Sequence, residues 1–352
     1  MTIKELLVIF NAGSTSLKYK IFDYKTLELL DSESFDIEEK GKEREILQEA
    51  LFNKIIDKAN TFGIIKAFGH RVVHGGSEFI NPTIITKTNI KKLEKYNDLA
   101  PLHNPYNLSF INLALINQPK IKNIAVFDTG FFANINTESQ HFAIPLKYFY
   151  ANIKRYGFHG ISHQYILSEA AKILKKKEKD CNLIICHLGG GCSISAISKG
   201  KAVDISLGFT PLGGIMMSTR SGDIDPGVLI YLMKKYNYSI EELNNILNHQ
   251  SGIFGISNSK NYLDLLTGVK NKDEKCTLAF NMFCYQIRKT IASYFGILNK
   301  VDAICFTGSI GSGFEITRNT ITKGFDLVKN IPILPIKTNE ELNIARQLKT
   351  II

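Results

Sequence analysis

The chain has 352 residues, of which 44% are hydrophobic and 22% charged, and its formal net charge is +10. This composition is ordinary for a folded globular protein, and the length exceeds what one hydrophobic core usually serves, so two domains are expected. No apolar run approaches the ~18 residues that a membrane-spanning helix needs, which excludes an integral membrane protein of that type.

The N-terminus reads MTIKELLVIFNAG, and its apolar run is too short for a signal-peptide core. It predicts a buried first strand instead. The cysteines include no C-x-x-C pair and mostly stand among apolar or small residues, as expected for buried free thiols in a reducing compartment. Both features favour a cytoplasmic protein. The six cysteines are Cys181, Cys186, Cys192, Cys276, Cys284 and Cys305.

The positive charge is carried mostly by lysine, since the chain has only seven arginines. Apart from one cluster at residues 175–179, the lysines are spread along the sequence. A nucleic-acid-binding protein usually concentrates its basic residues and interleaves them with aromatics. We therefore favour a lysine-rich solvated surface with no nucleic-acid or membrane partner, whose charge would still attract anionic substrates.

Strand-like and helical patterns alternate along the chain, which predicts an α/β protein. After the N-terminal run, short apolar stretches typical of buried strands occur at residues 124–127, 183–186 and 303–306. Residues 239–249 are expected to form a helix capped by Ser239, because Glu242 follows three residues later. Residues 278–298 show a long amphipathic helical pattern.

One internal similarity suggests a duplication. LLVIFNAGSTSLKYKIF is an apolar strand, a Gly/Ser turn and a second strand, and NLIICHLGGGCSISAIS repeats this plan with Gly189 in the place of Gly13. A third glycine turn, FTGSIGSG at residues 306–313, also follows an apolar run. Three glycine turns at strand tips indicate phosphate binding by backbone N–H groups and two related halves with a cleft between them.

Arginine and histidine occur beside these glycine-rich segments. Arg71 lies in GHRVVHGG and Arg220 in STRSGDIDPG, where bidentate contacts to oxyanions are a better interpretation than surface charge. His159 and His163 stand four residues apart in YGFHGISH. Zinc binding on one helix face is the alternative for this pair, but Gly157 and Gly160 argue against a regular helix there.

Taken together in order, these and further segments resemble the acetate kinase (acetokinase) family, a branch of the acetate and sugar kinase, Hsp70 and actin superfamily. The similarity runs from Leu7 to Arg346. Its segments are FNAGSTSLKY, GHRVVHGG, LAPLHNP, FDTGFF, YGFHGISH, HLGGGCSIS, LGFTPLGGIMMSTRSGDIDPG, FTGSIGSG and TNEELNIAR.

The resemblance implies an α/β, duplicated ribonuclease H-like (actin-like ATPase) fold of two domains with the active site in the cleft between them. The first domain would be residues 1–132 with a returning C-terminal helix at 341–352. Residues 133–340 would bind the nucleotide and form a homodimer. The implied reaction is reversible, magnesium-dependent, in-line phosphoryl transfer from ATP to acetate, which gives acetyl phosphate and ADP; Mn²⁺ can replace Mg²⁺.

The resemblance also implies roles for individual residues. The catalytic residues would be Arg71, Asp128, His159 and Arg220, with His159 and Arg220 stabilising the transition state. The acetate site would consist of Arg71, Val73, Leu102, Phe158 and Pro211, and the metal site of Asn11 and Glu340. The nucleotide and phosphate contacts would be Ser14, Ser16, Lys18, His187, Gly189, Gly190, Gly191, Asn261, Tyr262, Gly308, Ser309, Ile310 and Gly311. Two further active-site histidines would be His103 and His163.

The departures from the family pattern fall on the nucleotide side. Gly190 stands where the family's HLGNG has asparagine, residues 309–313 read SIGSG instead of GIGEN, and Asn261, Tyr262 and Leu263 replace an Asp-Phe-Arg nucleotide contact. Smaller departures are FDTGFF and Gly213. Three alternatives therefore stay open: an acetate kinase with an altered phosphoryl donor, a propionate- or butyrate-type acyl kinase, and a catalytically weak ligand-binding relative.

Overall fold

The computed structural model describes residues 3–13, 16–39, 41–101 and 103–352. The predicted site residues Ser14 and Leu102 lie outside the described residues. The chain divides into two compact units: the first contains residues 1–133, 158–165 and 339–352, and the second contains residues 134–157 and 166–338.

The described residues form eleven strands. They are β1 (Lys4–Ala12), β2 (Ser16–Asp23), β3 (Leu29–Asp36), β4 (Gly63–Val72), β5 (Thr83–Ile85), β6 (Lys122–Phe127), β7 (Leu183–Leu188), β8 (Cys192–Ser198), β9 (Lys201–Ile205), β10 (Ala303–Thr307) and β11 (Ile333–Pro335). The short apolar runs of the sequence are confirmed as β1, β6, β7 and β10.

The same residues form fourteen α-helices. They are α1 (Gly41–Asn60), α2 (Ile90–Glu94), α3 (Asn104–Asn117), α4 (Thr137–Gln140), α5 (Leu146–Tyr150), α6 (Gly160–Ile173), α7 (Pro226–Tyr236), α8 (Ile240–His249), α9 (Gly252–Ser257), α10 (Tyr262–Lys270), α11 (Glu274–Ile297), α12 (Gly308–Gly313), α13 (Glu315–Thr322) and α14 (Glu340–Leu348). Ser239 caps α8 in a capping box with Glu242, as predicted. The long amphipathic pattern is confirmed as α11.

The sheet of the first unit has the order β3-β2-β1-β4-β6-β5. Strand β1 is antiparallel to β2 and parallel to β4, and β4 is parallel to β6. Because side chains alternate between the faces of a strand, Val8 and Phe10 of β1 pack with α1 and α3, whereas Leu7 and Ile9 pack with α14. Both faces are covered, which explains why β1 is a continuous apolar run.

The sheet of the second unit repeats this plan. Its order is β11-β10-β7-β8-β9, with β7, β8 and β9 in an antiparallel meander and β10 and β11 added in parallel. Without β5, the first sheet has the same order: an antiparallel meander of three strands (β1, β2 and β3) followed by two parallel strands (β4 and β6). The turn at Gly13 joins the first two strands of one sheet and the turn at Gly189 joins the first two of the other. The duplication predicted from the sequence is confirmed.

Residues 158–165 belong to the first unit, which differs from the sequence assignment of 133–340 to the second domain. The physical reason is local. The N–H of Gly160 donates to the carbonyl of Asp128 at 2.9 Å, and Ile161 packs in the same core as Ile344. The start of α6 is therefore attached to the end of β6.

All six cysteines are free and buried, as predicted. Burial raises the pKa of Cys192 and of Cys284 to about 12, so these thiols stay protonated at neutral pH. Among the described residues, no helix combines the length and apolar character that crossing a membrane requires.

Two buried histidines of the first unit make its stability depend on pH. Burial lowers the pKa of His70 and of His74 to about 4, although at His70 a hydrogen bond between Nε2 and Asn123 Oδ1 (2.9 Å) opposes the shift. An unfolded histidine has a pKa of about 6.5. Between these values the unfolded state binds more protons than the folded state, so stability falls as the pH drops.

We predict that replacing His70 by phenylalanine flattens this pH dependence. Each histidine is expected to remove about 2 kcal/mol of unfolding free energy between pH 7 and pH 5. The His70→Phe variant should lose stability at pH 7, because Asn123 Oδ1 loses its hydrogen bond to His70, but should lose less on acidification than the wild type. Urea unfolding at both pH values measures the difference. A wild-type and a variant curve that shift in parallel would contradict the prediction.

Candidate active site

Arg71 and Asp128 form a buried ion pair at the ends of two adjacent parallel strands. Arg71 is the penultimate residue of β4 and Asp128 follows β6, so strand pairing brings them to one edge of the sheet. Arg71 Nη2 donates to Asp128 Oδ2 at 2.6 Å, and Nε donates to the two carboxylate oxygens at 3.1 and 3.2 Å. The Arg71 side chain is 19% exposed and that of Asp128 1%.

Asn11 and the start of α14 extend this pair into a network. Asn11, near the end of β1, accepts from Arg71 Nη1 at 3.2 Å and donates to Glu341 Oε1 at 2.9 Å. Glu340 is held less tightly, at 3.4 Å from Asn11 Nδ2 and 3.5 Å from Arg71 Nη1. Lys20 completes the network through an ion pair of 3.1 Å with Glu341.

The charges of the network shift the pKa values of its members. Burial alone would lower the pKa of the Arg71 guanidinium, but the charges of Asp128 and Glu340 raise it above its ordinary value. Burial raises the pKa of Asp128, and Arg71 opposes that shift. Burial likewise raises the pKa of Glu341, but the Asn11 hydrogen bond and the Lys20 charge outweigh it and leave this pKa low. Arg71 therefore remains a cation.

This cluster suits a hard divalent cation. Two cations, Arg71 and Lys20, face three carboxylates, Asp128, Glu340 and Glu341, which leaves one negative charge in excess. Within the described residues no three His, Cys, Asp or Glu side chains converge as a metal cage. Mg²⁺ commonly uses only one or two protein carboxylates and completes its shell with water and phosphate oxygens. Glu340, the most loosely held carboxylate, fits such a ligand.

The FHG segment approaches the same carboxylate from α6. His159 has a left-handed backbone (φ 62°), and its N–H bonds to Asp128, which lowers the pKa of that carboxyl. A Cβ on Gly160 would lie 2.2 Å from the Asp128 carbonyl, so only glycine fits there. His163 is buried one turn into α6 with its ring 5.4 Å from that of Phe132. The helix begins at Gly160, after His159, so the two histidines do not share a regular helix face.

The predicted acyl-pocket residues Val73 and Phe158 of the first unit are both buried. Val73 directly follows β4, two residues after Arg71, and Phe158 directly precedes His159. The Phe158 ring lies 5.5 Å from the ring of His74 in an edge-on contact. His103 immediately precedes α3, whose second residue is a proline.

Two glycine-rich segments lie together at the strand ends of the second unit: a turn after β7 and, after β10, the short helix α12, where the sequence analysis predicted a turn. The turn at Gly189–Gly191 follows β7 and the segment Gly308–Gly311 follows β10, and a Cβ on Gly189 would lie 3.5 Å from Ser309 Oγ. Gly308 has φ +76°, and a Cβ there would lie 2.3 Å from the Leu188 carbonyl. Only glycine therefore allows this close approach. A Cβ on Gly190 would meet nothing within 4 Å.

Arg220 is positioned beside the first of these turns. Ser218 N–H donates to the Gly190 carbonyl at 3.3 Å, and the Arg220 charge acts on the buried thiol of Cys192. Burial lowers the pKa of Arg220, whose Nη1 donates to the Pro211 carbonyl at 3.3 Å. No carboxylate of the described residues forms an ion pair with it. A desolvated guanidinium without an acidic partner is suited to hold an anionic ligand.

Among the other predicted nucleotide contacts, the side chains of Asn261 and Tyr262 bond to neighbours in the second unit. Asn261 caps α10 and bonds Asp264 twice, at 2.9 Å each. Tyr262 bonds Thr317 Oγ1 at 2.8 Å, and its ring lies 5.1 Å from that of Phe314. His187 is buried and pairs with Thr307 across β7 and β10. Lys18 is exposed on β2, opposite Asn11, and Ser16 begins that strand.

Sequence reasoning did not single out Glu341, Lys20 or the asparagines of α3. Side chains alternate between the two faces of β2, so Lys20 lies on the same face as the predicted contact Lys18, and this spacing could have pointed to Lys20. Glu341 stands beside Glu340 in TNEELNIAR, but adjacency alone does not reveal which carboxylate Asn11 contacts.

Comparisons with known proteins agree with this arrangement. The acetokinase family profile matches residues 6–350. The acetate kinase of Clostridium acetobutylicum is 36% identical over 394 aligned residues, which cover 98% of each chain. The crystal structure of Porphyromonas gingivalis acetate kinase has 32% identity and a TM-score of 0.87 over 99% of both chains. A propionate kinase from Francisella tularensis has 32% identity and a TM-score of 0.89, covering 97% of this chain and 98% of its own.

The chain therefore belongs to the acetokinase family. Its mixed α/β fold with two similar sheets confirms the predicted actin-like ATPase class.

We predict that the two arginines differ in their contribution to stability. Arg71→Ala leaves Asp128 buried without its cation, which typically costs about 3–5 kcal/mol of unfolding free energy. Arg220→Ala removes a buried cation that has no acidic partner among the described residues. The free energy of unfolding of this variant should therefore be no more than about 1 kcal/mol below that of the wild type. Chemical denaturation of both variants tests this. Equal losses would show that Arg220 is also part of a structural ion pair.

Proposed function

We propose that this protein catalyses reversible phosphoryl transfer between ATP and acetate, giving acetyl phosphate and ADP. The observation that carries the proposal is the pair of guanidinium groups in motifs that match the acetokinase family: Arg71, fixed by Asp128, and Arg220, which has no acidic partner among the described residues. The solved structure of an acetate kinase, similar over 99% of the chain, supports the same reaction.

The chemistry explains why these groups are needed. Acetate is already an anion at pH 7, so its attack on phosphorus requires no general base. The obstacle is the repulsion between two anions, about 4 kcal/mol per charge pair at 4 Å with an effective dielectric near 20. Fixed cations and hydrogen-bond donors around the transferring group lower this barrier. Arg71 and Arg220 supply the cations, and His159 supplies an imidazole.

The Arg71–Asp128 pair prepares this site before substrate binds. Two hydrogen-bonding sides of the guanidinium are engaged by Asp128 and Asn11, so the planar group cannot rotate. The buried Asp128 is itself held by the backbone of His159. A substrate carboxylate would therefore meet an oriented cation, which reduces the reorganisation needed in the transition state.

A magnesium ion bound with ATP would neutralise phosphate charge and orient the phosphate oxygens. Glu340 is the proposed ligand, directly or through water, with Asn11 beside it, because Glu340 is the least engaged carboxylate of the cluster. The glycine turn at residues 189–191 and the glycine-rich start of α12 at residues 308–311 would offer backbone N–H groups to the nucleotide phosphates.

Acetate is proposed as the preferred acid because the resemblance assigns Val73 and Phe158 to a small acyl pocket, and both side chains are buried in the first unit. One methylene group changes specificity by only about 1–3 kcal/mol, so propionate is expected to react more slowly rather than to be rejected. The similarity to a solved propionate kinase favours testing propionate as the second substrate. The buried free thiols support a reducing compartment, so the proposed location is the cytoplasm.

We expect wild-type protein with ATP, Mg²⁺ and acetate to form an acyl phosphate that hydroxylamine traps. A series from acetate to butyrate should show the highest kcat/KM for acetate, and Val73→Ala should raise the propionate to acetate ratio by enlarging the pocket. Parallel rates with ATP, GTP and pyrophosphate test the donor. Saturation by millimolar or lower ATP would exclude the altered-donor alternative, and failure to form any acyl phosphate would exclude the proposed function.

The arginine assignment is tested in the same assay. Arg71→Ala and Arg220→Ala should each lower turnover at least about a hundredfold, as loss of an oxyanion donor does. The matched control is Arg288→Ala, since Arg288 is partly buried, donates to the carbonyls of Lys323 and Gly324 and lies over the ring of Phe325, none of which is a proposed site residue. Wild-type rates in both test variants would overturn the site assignment.

The protein is further proposed to form a homodimer through α7. This helix reads PGVLIYLMKKY, yet none of its residues is buried, and Val228, Ile230 and Tyr231 are all exposed. A helix that is rich in apolar residues but buries none of them against its own chain is normally covered by another surface. A second copy of the chain is the proposed occupant, in line with the resemblance to homodimeric family members.

We predict that Ile230→Glu converts the dimer into a monomer. Multi-angle light scattering should give twice the chain mass of 39.5 kDa for the wild type and the single mass for the variant. Ile116→Glu, which charges an equally exposed isoleucine on α3, serves as the control and should remain dimeric. A dimeric Ile230→Glu variant, or a monomeric wild type, would contradict the proposal.

A further inference from the structure

Two asparagines in the first turns of α3 direct buried side chains at the backbone of the proposed acyl pocket. Asn104 and Asn107 are 0% and 2% exposed. Asn104 Oδ1 accepts from the N–H of His74 at 3.0 Å, and its Nδ2 donates to the carbonyl of the same residue at 2.9 Å. The segment after β4 is therefore held by side-chain amides where strand pairing no longer holds it.

Asn107 makes a bridge between two strands. Its Oδ1 accepts from the N–H of Val73 at 3.0 Å, and its Nδ2 donates to the carbonyl of Ala12. Ala12 ends β1 and Val73 follows the end of β4. One side-chain amide thus touches both chain segments at the points where they leave the sheet.

The strand register explains why a bridge is needed there. Direct pairing of β1 with β4 ends at Phe10 and His70. Beyond that pair the two strands carry Asn11 and Arg71, whose side chains must face each other at 3.2 Å. The carboxamide of Asn107 has the same donor and acceptor as a peptide group, so it replaces the missing rung of the ladder.

A second contact secures the turn on the β1 side. Arg44 of α1 is buried, and its Nη2 donates to the carbonyl of Gly13 at 2.9 Å. Its guanidinium lies 4.1 Å from the ring centroid of Tyr106 on α3. The carbonyls of Ala12 and Gly13 are thus each fixed by a side chain from a helix of the core.

We propose that Asn107 is a positioning residue that sets the spacing between the Gly13 turn, which would bind phosphate, and the Val73 pocket, which would bind the acid. The inference rests on the proposed function for the identity of these two sites. A transfer reaction depends steeply on that spacing, since a displacement of about 1 Å can cost a hundredfold in rate.

The test compares Asn107→Leu and Asn107→Asp with Asn123→Leu. Asn123, on β6 of the first sheet, is equally buried, but its hydrogen bonds go to His70 and the Ile121 carbonyl and not to Ala12 or Val73. Asn107→Leu should lower kcat by about ten- to a hundredfold and raise the KM for acetate. Asn123→Leu should lose comparable stability while its folded fraction keeps wild-type kinetics.

The aspartate variant separates the two arms of the bridge. It keeps the acceptor for Val73 N–H but places an oxygen opposite the Ala12 carbonyl. We expect kcat and the KM for ATP to change while the KM for acetate stays near the wild-type value. A purely structural role would not split the two KM values in this way.

Hydrogen exchange measured on peptides that span residues 8–13 and 70–76 gives a readout independent of activity. Asn107→Leu should accelerate exchange in the second peptide, where Val73 N–H loses its acceptor, and Asn123→Leu should not. Wild-type kinetics in Asn107→Leu, or exchange and kinetics indistinguishable from those of Asn123→Leu, would overturn the inference. If the wild type formed no acyl phosphate, the proposed function would fail, and exchange alone would then decide whether the bridge exists.

Discussion

The ion pair between Arg71 and Asp128 fixes the positions of the neighbouring strand ends and helix starts in the first unit. Removing two charges from water is costly, and the cost is recovered only if geometry and further hydrogen bonds are good. The three short contacts between the two side chains, and the backbone of His159 behind the carboxylate, meet that requirement. The pair ties β4 to β6 and α6, and through Asn11 it ties them to β1 and α14. A cation fixed in this way is suited to an anionic substrate.

The two units share one strand plan but use its strand ends differently. In the first unit the end of β4 carries Arg71 and the network of carboxylates. In the second unit the end of β10, which occupies the corresponding place in the sheet, leads into α12, where the backbone of Gly308 packs against that of Leu188. Charged side chains therefore lie at the strand ends of the first unit, and glycine backbone lies at those of the second. This division fits the proposed roles, since a small carboxylate is held by a guanidinium and a phosphate chain by successive N–H groups.

The departures from the family pattern have a physical interpretation. Among the residues that the structure describes, no atom lies within 4 Å of a Cβ built on Gly190, so none of them excludes the asparagine expected there from the family pattern. Asn261 and Tyr262 are engaged with Asp264 and Thr317, which makes them parts of the framework around α10 and α13. Both side chains are therefore already engaged within the second unit, which makes the choice of phosphoryl donor an informative property to measure.

Sequence alone determined the elements whose signals are local. The apolar run of β1, the capping box of α8 and the strand–glycine–strand repeat were all predicted correctly. Each of these features depends on the residue types within a short stretch of sequence, so the sequence shows it directly. The family motifs also named Arg71 and Asp128. Only the tertiary structure decided that residues 158–165 join the first unit, that Glu341 and Lys20 share a network with Asn11, and that Asn107 bridges Ala12 and Val73. These contacts join residues far apart in the chain, and hydrogen bonds to backbone groups leave no pattern of side chains from which they could be predicted.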